Sequence, residues 1–413
     1  MIEIFANRKL MLIFLSRFTS NFGDGFKYII ISWLTYERTQ SVLIVAISLA
    51  LFTVPGIIIT PFAGMIVDIF DRRLIGIIIE ILQFIIMSSW ILTFSFYGFS
   101  AIVMYIFVGL LAIGQSFILP TLFAILPELF DKKKLLKVNA TMSIAMQSGF
   151  LIGTSVGGAI IAIIGTTGAL IIDALTYLFS AVCIFFLRSG IIKPKKNNYK
   201  INIVESTNET VKYLKQKLHV INLVIFGIST WTVTMVLNVL LAPFSRDKLF
   251  INAMQFGVLD SALGVGSIIG GYIVGMLKNN KLKYVITLGF LSISIFLILF
   301  GFNRYYSVAL LLYFLIGFVI EYLTAIVDTQ IQIEVENEYM GRISSLIRMG
   351  GSIIGPTLMV LVGTLAEYGS FIIAFLILSL FVLIITGISF YYEKKNLSIS
   401  ENNIKFFDLT NEE

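Results

Sequence analysis

Twelve apolar runs of about 20 residues, separated by short polar breaks, occupy most of the chain. A helix needs ~20 mostly apolar residues to cross ~30 Å of hydrocarbon, so each run reads as a membrane span. The runs lie near 10–36, 42–67, 74–97, 101–126, 140–164 and 167–187, then near 219–243, 253–277, 284–302, 305–330, 343–366 and 370–392. This pattern predicts an all-α membrane protein whose twelve transmembrane helices form two pseudo-symmetric six-helix bundles. The expected organisation is an N-terminal bundle at 1–187, a cytoplasmic linker with an amphipathic helix at 188–218, a C-terminal bundle at 219–392 and a cytoplasmic tail at 393–413.

Composition supports this and removes several functions. Apolar residues make up 58 % of the chain and charged ones 13 %, against about 25 % charged in a soluble domain. The excess apolar surface must face lipid. One cysteine, Cys183, and one histidine, His219, exclude a disulfide framework and a Cys/His metal cluster. Cys183 reads as a small buried hydrophobe and His219 as an interfacial residue. No metal, cofactor or enzymatic centre is expected, and the chain has no Gly-x4-Gly-Lys-Ser/Thr phosphate loop for an ATP-driven pump. The net charge of +6 reflects basic loops and does not predict nucleic-acid binding. The first run carries Arg17, Asp24 and Lys27 and lacks a small-residue cleavage site, so it reads as a retained span.

Lysine and arginine set the orientation. With the N-terminus inside, the cytoplasmic segments gather Arg8, Lys9, Arg72, Arg73, Lys132 to Lys134, the central loop, Lys278, Lys281, Lys283 and Arg342. The external loops keep little beyond Arg38, Arg246, Lys248 and Arg304. Both termini are therefore expected in the cytoplasm, in a cell (plasma) membrane. Within the central loop, Val204, Val211, Leu214 and Leu218 recur at helical spacing among charges, which predicts an amphipathic helix along the membrane surface. The richness in Lys, Asn, Ile and Phe suggests an AT-rich bacterial genome.

Charges inside spans are costly and mark function. Arg17 and Asp24 lie two turns apart on one face of the first span, with Lys27 one turn further and Gly23 and Gly25 leaving room. Asp24 and Lys27 read either as an internal ion pair or as a proton or cationic-substrate site. Glu321, Glu80, Asp260 and Arg348 complete the candidate coupling groups, with Asp328 near the cytoplasmic surface. Asp173 is placed near the outer end of the sixth span, as an interfacial or capping residue. Gly149, Gly153 and Gly157 line one helix face, with Gly158 beside them, and allow close packing.

The sharpest motif is Gly64-Met-Ile-Val-Asp68-Ile-Phe-Asp71-Arg72-Arg73. Gly64 permits close helix approach, Asp68 suits a helix N-terminus, and the arginines suit charge-assisted bonds to acids. With this motif the chain resembles the major facilitator superfamily over nearly its whole length. Pro61, the Pro120 to Pro127-Glu128 stretch, Asn139, Ile172-Asp173 and Gly341-Arg342-Ile343 resemble the macrolide-efflux and siderophore-export branch. The resemblance implies a conformational latch in which Asp68 bridges to the eleventh helix and Arg72 or Arg73 pairs with acids such as Glu128. The glycines of the fifth span resemble the superfamily's antiporter signature. That signature has Gly-Pro where this chain has Gly153-Thr154; Gly355-Pro356 stands in the eleventh span. The superfamily often places an arginine in the fourth helix, whereas Leu110 to Gly114 contains no basic residue, so proton coupling must use other groups.

The expected function is secondary-active efflux, a proton-coupled antiport of an amphiphilic, drug-like compound such as a macrolide. A proton-coupled importer, or a dedicated exporter of a siderophore or peptide, is the alternative. The expected partners are protons, the substrate and the bilayer, with the protein acting as a monomer.

Overall fold

The computed structural model describes residues 7–130, 135–187, 203–276 and 284–410. Every regular element among them is helical. In chain order they are α1 (Arg8–Ile29), a π-helical turn (Ile30–Leu34), α2 (Thr35–Thr39), α3 (Val42–Ile69), α4 (Arg72–Tyr97), α5 (Ala101–Leu129) and α6 (Leu135–Phe185). Then follow α7 (Ile203–Gln216), α8 (Leu218–Asp247), α9 (Ala253–Met276), α10 (Val285–Phe302), α11 (Tyr306–Glu334), α12 (Asn337–Tyr368) and α13 (Phe371–Thr410).

Among the described residues, ten segments are long and apolar enough to cross a membrane. One of them, Ile144–Phe185, is two spans: α6 breaks at Gly165, whose φ of 72° suits a residue without a Cβ. Gly153 and Thr176, on opposite sides of that break, both lie against the Phe22–Gly25 stretch of α1. In a continuous helix they would stand ~35 Å apart, so the chain must double back. α1 is the remaining span, made less apolar by Arg17, Asp24 and Lys27. The twelve-span reading of the apolar runs therefore holds.

Local chemistry starts several helices. The Asn7 side chain accepts from the backbone N–H of Lys9 and Leu10 at 3.0 and 3.3 Å, and Ser41 accepts from Ile44 at 3.2 Å. Asp71 accepts from Arg73 and Leu74 at 2.9 and 3.0 Å, so within the loop motif it caps α4.

The chain divides into two compact units. The first comprises Met1–Tyr199 with Asn238–Ser261; the second comprises Lys200–Leu237 with Ala262–Glu413. The first unit thus includes the facing ends of α8 and α9. There the Tyr36 hydroxyl donates to Asp247, Trp33 packs on Phe256 at 5.3 Å, and the Ser261 hydroxyl donates to Ser155 at 2.6 Å.

In the second unit α7 docks on the start of α12. The rings of Tyr213 and Tyr339 stack at 4.1 Å, Lys217 pairs with Glu336 at 2.9 Å, and Arg342 pairs with Glu209 at 2.9 Å. His219 lies 3.2 Å from Glu334. The exposed pairs are screened by water and add little, and the stacked rings contribute about 1 kcal/mol. Tyr339→Ala should therefore speed hydrogen exchange across α7 while leaving the spans protected. Unchanged α7 protection would show that the docking does not order the helix.

Candidate functional site

Polar side chains concentrate inside the first unit, on the face where α1 meets α4, α5 and α6. Glycine makes this approach possible. A Cβ at Gly149 would collide with the carbonyl of Phe18, one at Gly153 with that of Phe22, and one at Gly25 would stand 2.6 Å from the carbonyl of Phe150. α1 and the first arm of α6 therefore touch backbone to backbone. Gly157 is looser, with Ile29 at 3.4 Å, and Gly158 lies against the carbonyl of Ala253.

Two connected groups of side chains follow. Arg17 donates to Glu80 Oε1 at 2.8 Å, Ser180 donates to the same oxygen at 2.7 Å, and Ser16 lies 2.8 Å from Ser180. About three turns along α1 from Arg17, Lys27 Nζ donates to Asp24 Oδ1 and to the Tyr177 hydroxyl, both at 2.6 Å. Gln115 Nε2 donates to the other Asp24 oxygen at 3.1 Å. Lys27 also stands over the rings of Phe52 and Tyr177 at 5.0 and 5.3 Å. The π-helical turn begins three residues beyond it.

All of these charges are taken from water: Arg17 and Asp24 are 4 % exposed, Lys27 and Glu80 0 %. Such pairs hold only when geometry and extra hydrogen bonds offset desolvation. Ser180, Tyr177 and Gln115 supply those bonds. A small cavity runs from Ser16 and Arg17 past Thr121 and Gly76 to Arg72.

The other expected residues fall as follows. Arg72 pairs with Glu128 and donates to the carbonyl of Ala124 at 3.1 Å. Among the described residues Arg73 pairs with no acid; it donates to the carbonyls of Ile184, at 3.2 Å, and Phe185. Gly64 was expected to permit a close approach, yet a Cβ there would meet nothing within 4 Å. The side chain of Asp68 lies outside the described residues, as do residues 131–134, 188–202 and 277–283 with their expected basic loops.

Asp260 belongs to the first unit, beside Thr154. Glu321 belongs to the second unit, half-buried near Gly271. Arg348 and Asp328 are exposed, and no ion pair joins Arg348 to the expected acids among the described residues. Gly355 faces the flexible Met235 side chain rather than a backbone.

One expectation is corrected outright. Asp173 is neither interfacial nor a cap: it is 0 % exposed, against Gly23 of α1. The second arm of α6 carries Asp173, Thr176, Tyr177 and Ser180 at offsets of three, four and seven, one helical stripe turned toward α1. That stripe was readable in the sequence. Tyr177, Ser180 and Gln115 were overlooked because single polar residues in apolar spans carry little signal by themselves.

Twelve spans with buried, cross-linked charges in the first bundle are the architecture of a polytopic membrane protein that keeps costly charges for use inside the bilayer. The Major Facilitator Superfamily model matches residues 13–357, and the chain belongs to that superfamily. Macrolide efflux protein A of Streptococcus pyogenes is 23 % identical over 322 residues, covering 77 % of this chain and 79 % of the relative. Multidrug efflux pump Tap of Mycolicibacterium fortuitum is 22 % identical over 389 residues, covering 91 % and 93 %.

Among solved structures, nucleoside transporter NupG superposes with a TM-score of 0.74 at 12 % identity, covering 94 % of this chain and 99 % of that one. A bacterial homolog of the lysosomal transporter Spinster, inward-facing and occupied, gives 0.73 at 14 % identity, covering 93 % and 96 %. At these identities the structural likeness shows the fold alone.

Proposed function

We propose that this transporter exports an amphiphilic, drug-like compound of macrolide type in exchange for protons, as a monomer in the plasma membrane with both termini cytoplasmic. The observation that carries the reading is the Asp24–Lys27 pair, buried in the first bundle and held by Gln115 and Tyr177. A carboxylate whose one ion-pair partner among the described residues is an ammonium can exchange that partner for a proton or a cationic group as its surroundings change. Export rather than import is supported by the efflux names of the relatives. An alternating-access cycle would expose the pair to each side of the membrane in turn.

The test is efflux of a panel of lipophilic antibiotics from cells expressing the chain, with and without a protonophore. Protonophore-sensitive efflux that Asp24→Asn abolishes is expected. Efflux indifferent to the protonophore would remove proton coupling. No efflux of any compound would move the reading to a dedicated metabolite exporter or an importer.

A further inference from the structure

Among the described residues, five charged-type side chains are buried, all in the first unit: Arg17, Lys27, Asp24, Glu80 and Asp173. Two are cations and three are acids. Arg17 is bonded to Glu80 and Lys27 to Asp24, which leaves Asp173 over.

Both carboxyl oxygens of Asp173 are buried without a hydrogen-bond partner. Thr176 could have served them, but its hydroxyl donates to the Asp173 carbonyl at 2.6 Å. The groups that act on Asp173 are Lys27 and Asp24 from α1, Glu80 from α4, and Thr176 and Tyr177 from its own helix. Gln115 of α5 is spent on Asp24. An ionised carboxylate in this setting would have at most the Thr176 hydroxyl, which donates instead to the Asp173 carbonyl, and two neighbouring acids, and burying it so costs several kcal/mol. A neutral acid fits.

We propose that Asp173 is a proton-binding residue of the transport cycle, neutral while Lys27 holds Asp24 and charged when Lys27 turns to it. The proton passes from an Asp173 oxygen to an Asp24 oxygen as Lys27 moves from the second carboxylate to the first. The net charge of the three side chains stays constant, so the exchange needs no new counter-ion in the membrane. Lys27 is then a positioning residue that makes the two acids alternate. The transport part of this inference rests on the proton-coupled reading above; the protonation of Asp173 does not.

The experiment is infrared difference spectroscopy of the full chain in lipid nanodiscs, reading the C=O bands of protonated carboxyls. Asp173→Asn, which keeps shape and neutrality, should remove one such band that Glu321→Gln leaves in place. Asp173→Glu should shift the band rather than remove it, which covers a poorly folding asparagine variant. Lys27→Met should add a band, because Asp24 then loses its cation. A spectrum of Asp173→Asn retaining every wild-type acid band would overturn the proposal.

In proteoliposomes with an imposed proton gradient, Asp173→Asn should lower substrate-driven proton movement by roughly tenfold or more, as expected for a functional intramembrane acid. Wild-type proton movement there would overturn the transport role alone. A wild-type protein that moves substrate without protons would sink the coupled reading, with the infrared bands still deciding the state of Asp173.

Discussion

Arg17→Met will destabilise the first unit by about 3–5 kcal/mol, because it leaves the fully buried Glu80 carboxylate without its cation. Glu80 Oε1 keeps Ser180 at 2.7 Å, but Oε2 has no partner even in the intact protein, so nothing nearby replaces the guanidinium. The double variant Arg17→Met/Glu80→Gln should recover most of the loss, since the amide carries no charge to compensate. Thermal unfolding of purified protein, followed by tryptophan fluorescence or exposure of Cys183, reads this cycle. Equal losses in the single and double variants would mean that Arg17 matters through packing rather than charge. Transport by a stable double variant would further show that this pair is structural, leaving coupling to Asp24 and its neighbours.

Gly153→Leu will cost about 3 kcal/mol or more, at the upper end of overpacking effects. The new side chain would be driven into the Phe22 carbonyl and the Cα of Gly25, and backbone cannot rotate away as a side chain can. Prising α1 from α6 would also separate Lys27 from Tyr177, so transport should fail along with stability. Gly64→Leu is the contrast: with open space at that position, the fold should change by less than ~0.5 kcal/mol. Any transport loss in Gly64→Leu would then report another conformation rather than misfolding. If Gly153→Leu proved as stable and active as wild type, the backbone contact between these helices would be dispensable.

The two variants show where sequence reasoning was strong. The stripe of Gly149, Gly153 and Gly157 was legible because four-residue spacing is a property of one helix, and small residues in a membrane have one main use. The ionisable residues of α1 were equally legible, since charge in an apolar run needs no tertiary knowledge to be noticed. Asp173 was noticed but misplaced. Its run enters from the outer side and Asp173 lies near that start, but depth along a span cannot be judged to within a turn from hydropathy. The Gly64–Arg73 motif identified the superfamily, yet the structure uses Asp71 as a cap and Arg73 on carbonyls, contacts that a motif does not specify.

By itself the sequence determined the number of the spans, the membrane class and four of the five charges buried among the described residues, Arg17, Asp24, Lys27 and Glu80. Those follow from the length of apolar runs and from helical spacing, which are local. Only the tertiary structure decided the pairing. Arg17 meets Glu80 from 63 positions away, and Lys27 meets Tyr177 from 150. Each helix satisfies its own backbone, so nothing in one span's pattern announces which neighbour it packs against. Side-chain pairing is settled where glycines let α1 approach α6, and that approach left Asp173 without a partner.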